Sequence, residues 1–489
     1  MTASTPQLLS ATSASRADTA SKAKGRVLSS ASRPLALHAA LIFAGAFILT
    51  VSDDPVFTLR VVGALAFFVY VAIAVIEARR APLLFSPLSF YFAWYSIGLG
   101  PATIHHANIV ADGSPIYFGP RSIDAADLAA GYLLYLLGSF CLHLGLQLTR
   151  PVVAPGERAP VSGSGFVLLW VVGVVVRLFA ERLGVLGALG GVLQWGALAA
   201  LIAFVATERE NKQRDHRYWL ILVGGTLVLF VLHLRTGSKA FIMFSFLPAA
   251  LLFVKDNKLR RWLPALAIAG ITFYLTLVAP VVSASREASG NAGETTSDRI
   301  VRTYVQNEYS ADTAVGDQVG AFLERIFEPT PAAFLYSETE RTGLMWGETM
   351  QYLAYAFVPR LFWPDKPGVS RGGWFYAYIG AARSEAEAAT SIAQTAVGEL
   401  YWNFGYLGVV LGLGGLGAAL GLLWRLATAF PHRDPVRILL YVSVTFNMLD
   451  MSEAGTAFVG VTFRAIILVP TIFLLDRVAR QQARLGRAT

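Results

Sequence analysis

The chain is poor in charge and almost devoid of cysteine. Only 15% of its 489 residues are Asp, Glu, Lys or Arg, against roughly 25% in soluble globular domains. That deficit excludes an ordinary water-soluble chain, which at this length would divide into about two or three domains. The single cysteine, Cys141, lies in an apolar stretch. It excludes an intramolecular disulfide and a cysteine-built zinc site, and reads as a small core residue. Walker A, HExxH, Rossmann and serine-elbow patterns are missing. No internal repeat supports an inverted-repeat transporter.

Apolar sequence fills the space instead, at 55% of all residues. A bilayer-crossing helix needs about 20 mostly apolar residues. About a dozen stretches qualify, at roughly 35–51, 61–77, 84–104, 125–148, 164–181, 187–206, 218–235, 238–255, 262–284, 396–424, 437–449 and 457–476. The Gly-rich 187–206 and the short 437–449 also fit re-entrant segments. Residues 1–33 are rich in Ser, Ala and Thr and carry Arg16, Lys22, Lys24, Arg26 and Arg33. They read as a disordered cytoplasmic tail rather than a signal peptide.

Cytoplasmic loops collect Lys and Arg. With the N-terminus inside, 24 of the 40 basic residues fall on the cytoplasmic side, and the alternation holds through every span. The net charge of +8 belongs to this asymmetry, not to a nucleic-acid partner. The expected fold class is an all-α polytopic membrane protein of about 12 transmembrane helices, with both termini cytoplasmic. Its parts are a bundle of about nine spans over 34–284, a periplasmic loop with short helices over 285–395, about three spans over 396–476 and a basic tail over 477–489. A connector as long as 285–395 usually has a function.

Three segments carry candidate chemistry. In Arg235-Thr-Gly-Ser-Lys239, Gly237 permits a tight turn and Ser238 caps the next helix, whose free N–H groups with the flanking cations suit phosphate. An interfacial hairpin with snorkelling cations fits equally. The second segment joins Gly343–Thr349 to the run from Phe357 to Pro367. Pro359, Pro364 and Pro367 stiffen it and hold Arg360, Asp365 and Lys366 among Trp346 and Trp363. Arg offers a fork for phosphate oxygens, and the indoles stack on sugars or sit at the interface. A structural cap with an internal Asp–Lys or Asp–Arg pair fits the spacing too. In the third segment, Gly398–Gly408, Glu399 and Asn403 are four apart and share one helical face. Polar groups at membrane depth usually face a cavity or the bundle interior. Gly405, Gly408, Gly412, Gly415 and Gly421 follow at spacing that allows close helix packing. Weaker signals are Arg177 and Arg464 within spans, the Asp53-Asp54 pair, the His105-His106 pair, and Asp450 with Glu453 in the last hairpin.

The run from Val358 to Pro367 (Val-Pro-Arg-Leu-Phe-Trp-Pro-Asp-Lys-Pro), preceded by Gly-Glu-Thr and followed by Gly-Glu-Leu-Tyr-Trp-Asn-Phe-Gly-Tyr-Leu-Gly, resembles the oligosaccharide repeat-unit polymerases, the Wzy-type O-antigen polymerases. The Arg-Thr-Gly-Ser-Lys turn is similar to that family as well. The resemblance covers roughly 218–425, and the earlier spans only by topology. It implies a C-type glycosyltransferase-like bundle in a bacterial inner membrane, without bound metal, nucleotide sugar or other cofactor. It also implies transfer of a growing glycan from undecaprenyl diphosphate to the next lipid-linked unit, in O-antigen, capsule or exopolysaccharide synthesis. Partners would be the lipid-linked oligosaccharide, membrane lipid, a chain-length regulator and a flippase, and no nucleic acid. On this reading Arg235, Lys239, Arg360 and Lys366 hold diphosphate, with Arg286, Arg302 and Arg371 in reserve. Glu399, Asp365 or Glu348 is the acceptor base, Glu399 first. Trp363, Trp374, Tyr401 and Asn403 line the glycan path. Paired Arg-rich loops known from some polymerases are not evident. An O-antigen ligase or protein O-glycosyltransferase would use the same donor, and a lipid-linked-oligosaccharide flippase is the rival of another class.

Overall fold

Prolines and capping side chains set where the helices begin. The computed structural model describes residues 33–80, 86–150, 163–179, 187–211, 216–234, 244–255, 315–358, 371–388, 392–428 and 435–485, with isolated residues at 242, between 259 and 273, and between 362 and 367. Helix α1 spans Arg33–Val51. Helix α2 (Pro55–Arg79) opens on Asp54, whose carboxylate accepts from the N–H groups of Val56 and Phe57 at 2.9 and 3.1 Å. Asp54 is thus a helix cap with Pro in the first turn. The expected span 84–104 is two helices, α3 (Pro87–Gly98) and α4 (Pro101–Ala111). They part at Gly100, where a Cβ would lie 2.5 Å from the Ser96 carbonyl oxygen. The Gly-Pro pair breaks the helix because Pro101 has no N–H to give.

A hairpin follows, β1 (Ile116–Phe118) and β2 (Arg121–Ile123), antiparallel with Phe118 opposite Arg121. Gly119 takes φ +64° in its two-residue turn. Helix α5 (Ala125–Thr149) starts on the Asp124 cap. Next come α6 (Gly163–Phe179), α7 (Gly187–Leu193), α8 (Gly196–Asn211), α9 (His216–Leu234) and α10 (Leu247–Lys255). The Gly-rich span 187–206 is therefore divided between α7 and α8. The C-terminal part holds α11 (Val315–Ile326), α12 (Pro329–Thr342), α13 (Leu353–Ala356), α14 (Gly372–Tyr378), α15 (Ala396–Thr428), α16 (Pro435–Leu449) and α17 (Ala454–Leu485). Helix α17 continues past 476 into the segment expected to be a tail.

Among the described residues, six helices are long and apolar enough to cross a membrane: α1, α2, α5, α9, α15 and α17. The apolar stretches Gly165–Phe179, Gly190–Ala206 and Pro435–Leu449 are shorter. Phe43, Phe47, Phe68, Leu220 and Phe473 point outward and are exposed, as lipid-facing side chains are. The chain is a mainly helical, multi-pass membrane protein. Residues 1–32, 274–314 and 486–489, and most of the expected span 262–284, lie outside the described residues.

The most extensive helix pairing is α5 with α15. Its backbones meet through glycine: a Cβ on Gly145 would lie 2.0 Å from the Gly414 carbonyl oxygen, and one on Gly417 2.2 Å from that of Leu142. Small residues allow such contact where lipid offers no hydrophobic drive. Gly421 joins the seam against Thr149, whereas Gly415 has open space around it. Substituting Gly417→Leu should separate the helices and cost about 1–3 kcal/mol or more. The check is the thermal midpoint in detergent, and an unshifted midpoint would remove this seam from the account.

The bundle has two chemically distinct ends. At one, Arg80 and Arg150 donate to the fully buried Glu77 at 3.2 and 3.0 Å. Arg150 also lies 5.5 Å over Trp424, and Arg437 grips Asp476 through both carboxylate oxygens. These residues sit at the C-terminal ends of α2, α5 and α15, the start of α16 and the latter part of α17. The opposite end carries the hairpin, α12, α14 and the α16–α17 turn.

Candidate functional site

Helix α15 breaks at Gly405, where φ 62° and ψ −154° leave the helical region. Its first half, 396–404, folds back on the second: a Cβ on Gly408 would meet the Leu400 carbonyl oxygen at 2.5 Å. A break deprives Trp402 and Asn403 of their usual i+4 donors. The loop 343–350 supplies replacements, with Met345 N–H donating to Trp402 O at 2.9 Å and Trp346 N–H to Asn403 O at 3.1 Å. To lie there the loop takes positive φ at Gly343, Trp346 and Gly347. Asn403 completes the join: its Oδ1 accepts from Gly347 N–H at 2.9 Å and its Nδ2 donates to Thr349 Oγ1 at 2.6 Å.

This join positions Glu399, which is fully buried. Its Oε1 accepts from Thr349 Oγ1 at 3.4 Å and its Oε2 from Gly455 N–H at 3.2 Å. A carboxylate at the first turn of α17 meets unpaired N–H groups and the positive end of the helix dipole. Gly455 is required because Tyr352 lies over it; a Cβ there would fall 1.7 Å from the tyrosine hydroxyl. Thr395, just before α15, holds φ 58°, costly for a β-branched residue.

Glu453 lies beside this site, in the α16–α17 turn. It is buried; Oε1 accepts from Arg371 N–H at 3.1 Å, and Oε2 has no hydrogen-bond partner among the described residues. Burial pushes its carboxyl up to about 6, with the Asp450 charge adding, while Arg371 opposes through its N–H and its charge. The Arg371 guanidinium lies 4.4 Å over the Trp374 ring, and its buried Nε is likewise without a partner among the described residues. Trp374 stacks on Tyr378 and approaches Trp402 at 6.2 Å. On the other side of the turn, Tyr95 and Tyr135 donate to Glu328 Oε2. Burial pushes Glu328 up to about 7 and the Asp450 charge adds to this, against the two hydroxyls.

The aromatic wall ends at Glu338, a buried carboxylate that receives Arg121 Nη1 at 2.6 Å, Arg341 Nη2 at 2.6 Å and Tyr378 Oη at 2.7 Å. Burial would raise it, yet the donors from Arg341, Tyr378 and Arg121 outweigh burial and hold it below the usual carboxylate range. Such a group stabilises the fold above its unfolded value, about 4.3 for Glu, and that contribution is lost as pH falls through the lower folded value. Thermal midpoints should therefore drop below about pH 4 in the wild type. They should drop less in Glu338→Gln, which starts lower. Parallel curves would show that Glu338 contributes no acid sensitivity.

Of the residues singled out in the sequence, Glu399, Asn403, Arg371 and Trp374 come together with the 343–352 loop. Glu348 is in that loop but exposed, and Asp365 is exposed. Lys366 donates to the carbonyl oxygens of Ala356 and Val358 at 3.0 and 2.9 Å, closing the α13 turn. Trp363 sits against Tyr355, and Tyr401 stacks on Tyr336. Arg235, Lys239, Arg286, Arg302 and Arg360 lie outside the described residues. The sequence reading missed Glu328, Thr349, Tyr352 and Glu338; Glu328 had one local signal, its place before the Pro329-Thr-Pro start of α12. Among the described residues no group of three or more His, Cys, Asp or Glu is placed to hold a metal ion. No family model matches the chain, and neither curated proteins nor solved structures yield a match.

Proposed function

We propose that the chain is a membrane glycosyltransferase that polymerises undecaprenyl-diphosphate-linked oligosaccharides on the outer face of a bacterial inner membrane, with both termini in the cytoplasm. The observation that supports it best is the pairing of Glu453, with its unengaged Oε2, and Arg371 over Trp374. The acceptor hydroxyl attacks the anomeric carbon, its proton passes to Glu453 Oε2, and the bond from that carbon to the diphosphate oxygen breaks. Arg371 faces the charge that develops on the departing diphosphate. Trp374 offers its ring to a sugar face. Arg235, Lys239, Arg360, Arg286, Arg302 and Lys366 remain proposed diphosphate ligands. Glu399 has both oxygens engaged, which suits a positioning role beside the base. The basic end, with Arg79, Arg80, Arg150, Arg425, Arg437 and Arg477, fits the cytoplasmic side.

Gene deletion followed by glycan analysis tests this reading. A polymerase predicts loss of long-chain surface polysaccharide, with acceptor carrying a single repeat unit left behind. Loss of that single unit too would point to a ligase or a flippase. An unchanged chain-length distribution would dispose of the proposal.

A further inference from the structure

Away from this site, α1, α2, α3 and α5 enclose a hydrogen-bonded line of polar side chains that runs from Glu77 to Ser139. It begins at the basic end with Glu77, whose Oε2 is buried without a partner among the described residues. Gln147 comes next. Its Oε1 accepts from Arg150 at 3.3 Å, which turns its Nε2 towards His143 Nε2 at 3.1 Å and Glu77 Oε1 at 3.5 Å. His143 Nδ1 lies 3.3 Å from His38 Nδ1, and His38 Nε2 lies 3.0 Å from the Tyr70 hydroxyl. Tyr70 and Tyr91 each reach Ser139 Oγ at 2.9 Å. A cavity lined by Tyr91, Ser139 and Tyr135 continues the line, among Leu142, Val397 and Leu413. Tyr135 then donates to Glu328.

The bonding fixes the histidine tautomers. An amide nitrogen only donates, so His143 Nε2 accepts and its proton sits on Nδ1. His143 therefore donates to His38 Nδ1, which leaves the His38 proton on Nε2, facing Tyr70. Tyr70 in turn donates to Ser139. All these donors point the same way. His38, Tyr70 and His143 are almost completely buried, and Phe92 and Phe140 present ring edges to His38 at 5.4 and 5.5 Å, closing it from lipid. Arg150, Arg80 and Glu77 are the charged groups at the near end, and Glu328 with Asp450 at the far end. Serine and threonine suffice to bond helices together in lipid. Two facing imidazoles are an expensive substitute unless they carry protons.

We propose that this line is a proton path between the basic end of the bundle and Glu328, with Gln147 as its gate. A proton entering from the basic end first binds Glu77 Oε2, and when Gln147 swings away His143 Nε2 takes it. The Nδ1 proton moves to His38 Nδ1, His38 releases its Nε2 proton to Tyr70, and Tyr70 passes its own to Ser139. A single water in this small, largely apolar cavity, held by the hydroxyls of Tyr91, Ser139 and Tyr135, relays it to Tyr135 and Glu328. Only N–H and O–H bonds change, no electrons are transferred, and one proton enters at Glu77 for each that reaches Glu328. The path is independent of the glycosyltransferase reading and survives its failure.

The test uses the purified full chain in phosphatidylcholine–phosphatidylglycerol vesicles loaded with a pH-sensitive dye, with a potassium diffusion potential set by valinomycin. Gln147→Ala should acidify or alkalinise the lumen at least about tenfold faster than protein-free vesicles, and severalfold faster than wild type. Adding His38→Gln or Tyr70→Phe to it should return the rate to background. Tyr70→Phe deletes one oxygen and keeps the ring, and its thermal midpoint in detergent checks that the variant is folded. Background flux in Gln147→Ala overturns the path, as does undiminished flux once Tyr70→Phe is added. Nitrogen-15 histidine spectra of the wild type give a readout without transport: a proton on Nδ1 of His143 and Nε2 of His38. The opposite tautomers overturn the proposed direction of the chain.

Discussion

Replacing Glu453 by Gln is expected to lower glycan transfer by about 10²–10⁴-fold, the range a positioned general base contributes. Glutamine keeps a carbonyl oxygen to accept from Arg371 N–H, now at 3.1 Å, so the turn before α17 should hold. What is lost is the lone pair on the unengaged Oε2. The sign of the pH dependence follows from the same atom. A base works as carboxylate, and burial raises this one to about 6. The rate should therefore climb with pH through about 6 and level off above it, and fall as the group is protonated below. Glu453→Asp should keep the shape of that profile at a reduced rate. Purified protein and a synthetic lipid-diphosphate oligosaccharide, assayed from about pH 4.5 to 8, give both readings. A wild-type rate in Glu453→Gln would end its candidacy as base. A rate that does not vary across that range would count against the raised carboxyl.

The parts of the molecule that a local reading could reach were those governed by local rules. Apolar length located α1, α5, α9 and α15 within about four residues at either end, and α2 and α17 with one end misplaced by more, because a bilayer-length helix satisfies its own backbone wherever it sits. Gly100-Pro101 was readable as a break, yet the flanking apolar residues masked it. The Glu399–Asn403 face was legible from its spacing of four, and both residues do face the interior. Their partners were not legible. Glu453 meets Arg371 across 82 positions of sequence, and Glu399 meets Gly455 across 56. No periodicity carries such pairings. Asp54 shows the converse: an acid singled out only as half of a pair is the cap of α2. Lys366, still a proposed diphosphate ligand, also has a local role that its spacing did not show: its ammonium donates to two backbone carbonyls.

The glycines of α15 look alike in sequence and differ sharply in role, and Gly405 has the largest consequence. Its φ 62° and ψ −154° fall where a Cβ is barely tolerated, at a cost of order 1–3 kcal/mol. Gly405→Ala removes the reason for the break. A straightened helix would return the Trp402 and Asn403 carbonyls to i+4 partners. The N–H groups of Met345 and Trp346, which now donate to those carbonyls, would lose their acceptors and the 343–350 loop would lift. Thr349 would then leave Glu399, and Tyr352 would leave the space over Gly455. Transfer activity should fall about 100-fold or more, comparable to loss of the base itself, while residues 406–428 remain a membrane span. Hydrogen exchange should report the cause, with the amides of Met345, Trp346 and Gly347 losing protection in Gly405→Ala. Gly415→Ala is the matched control, since nothing lies within 4 Å of the added Cβ, and it should be silent or slightly stabilising. If Gly405→Ala keeps both protection and activity, the break is a feature of the helix alone and does not build the site.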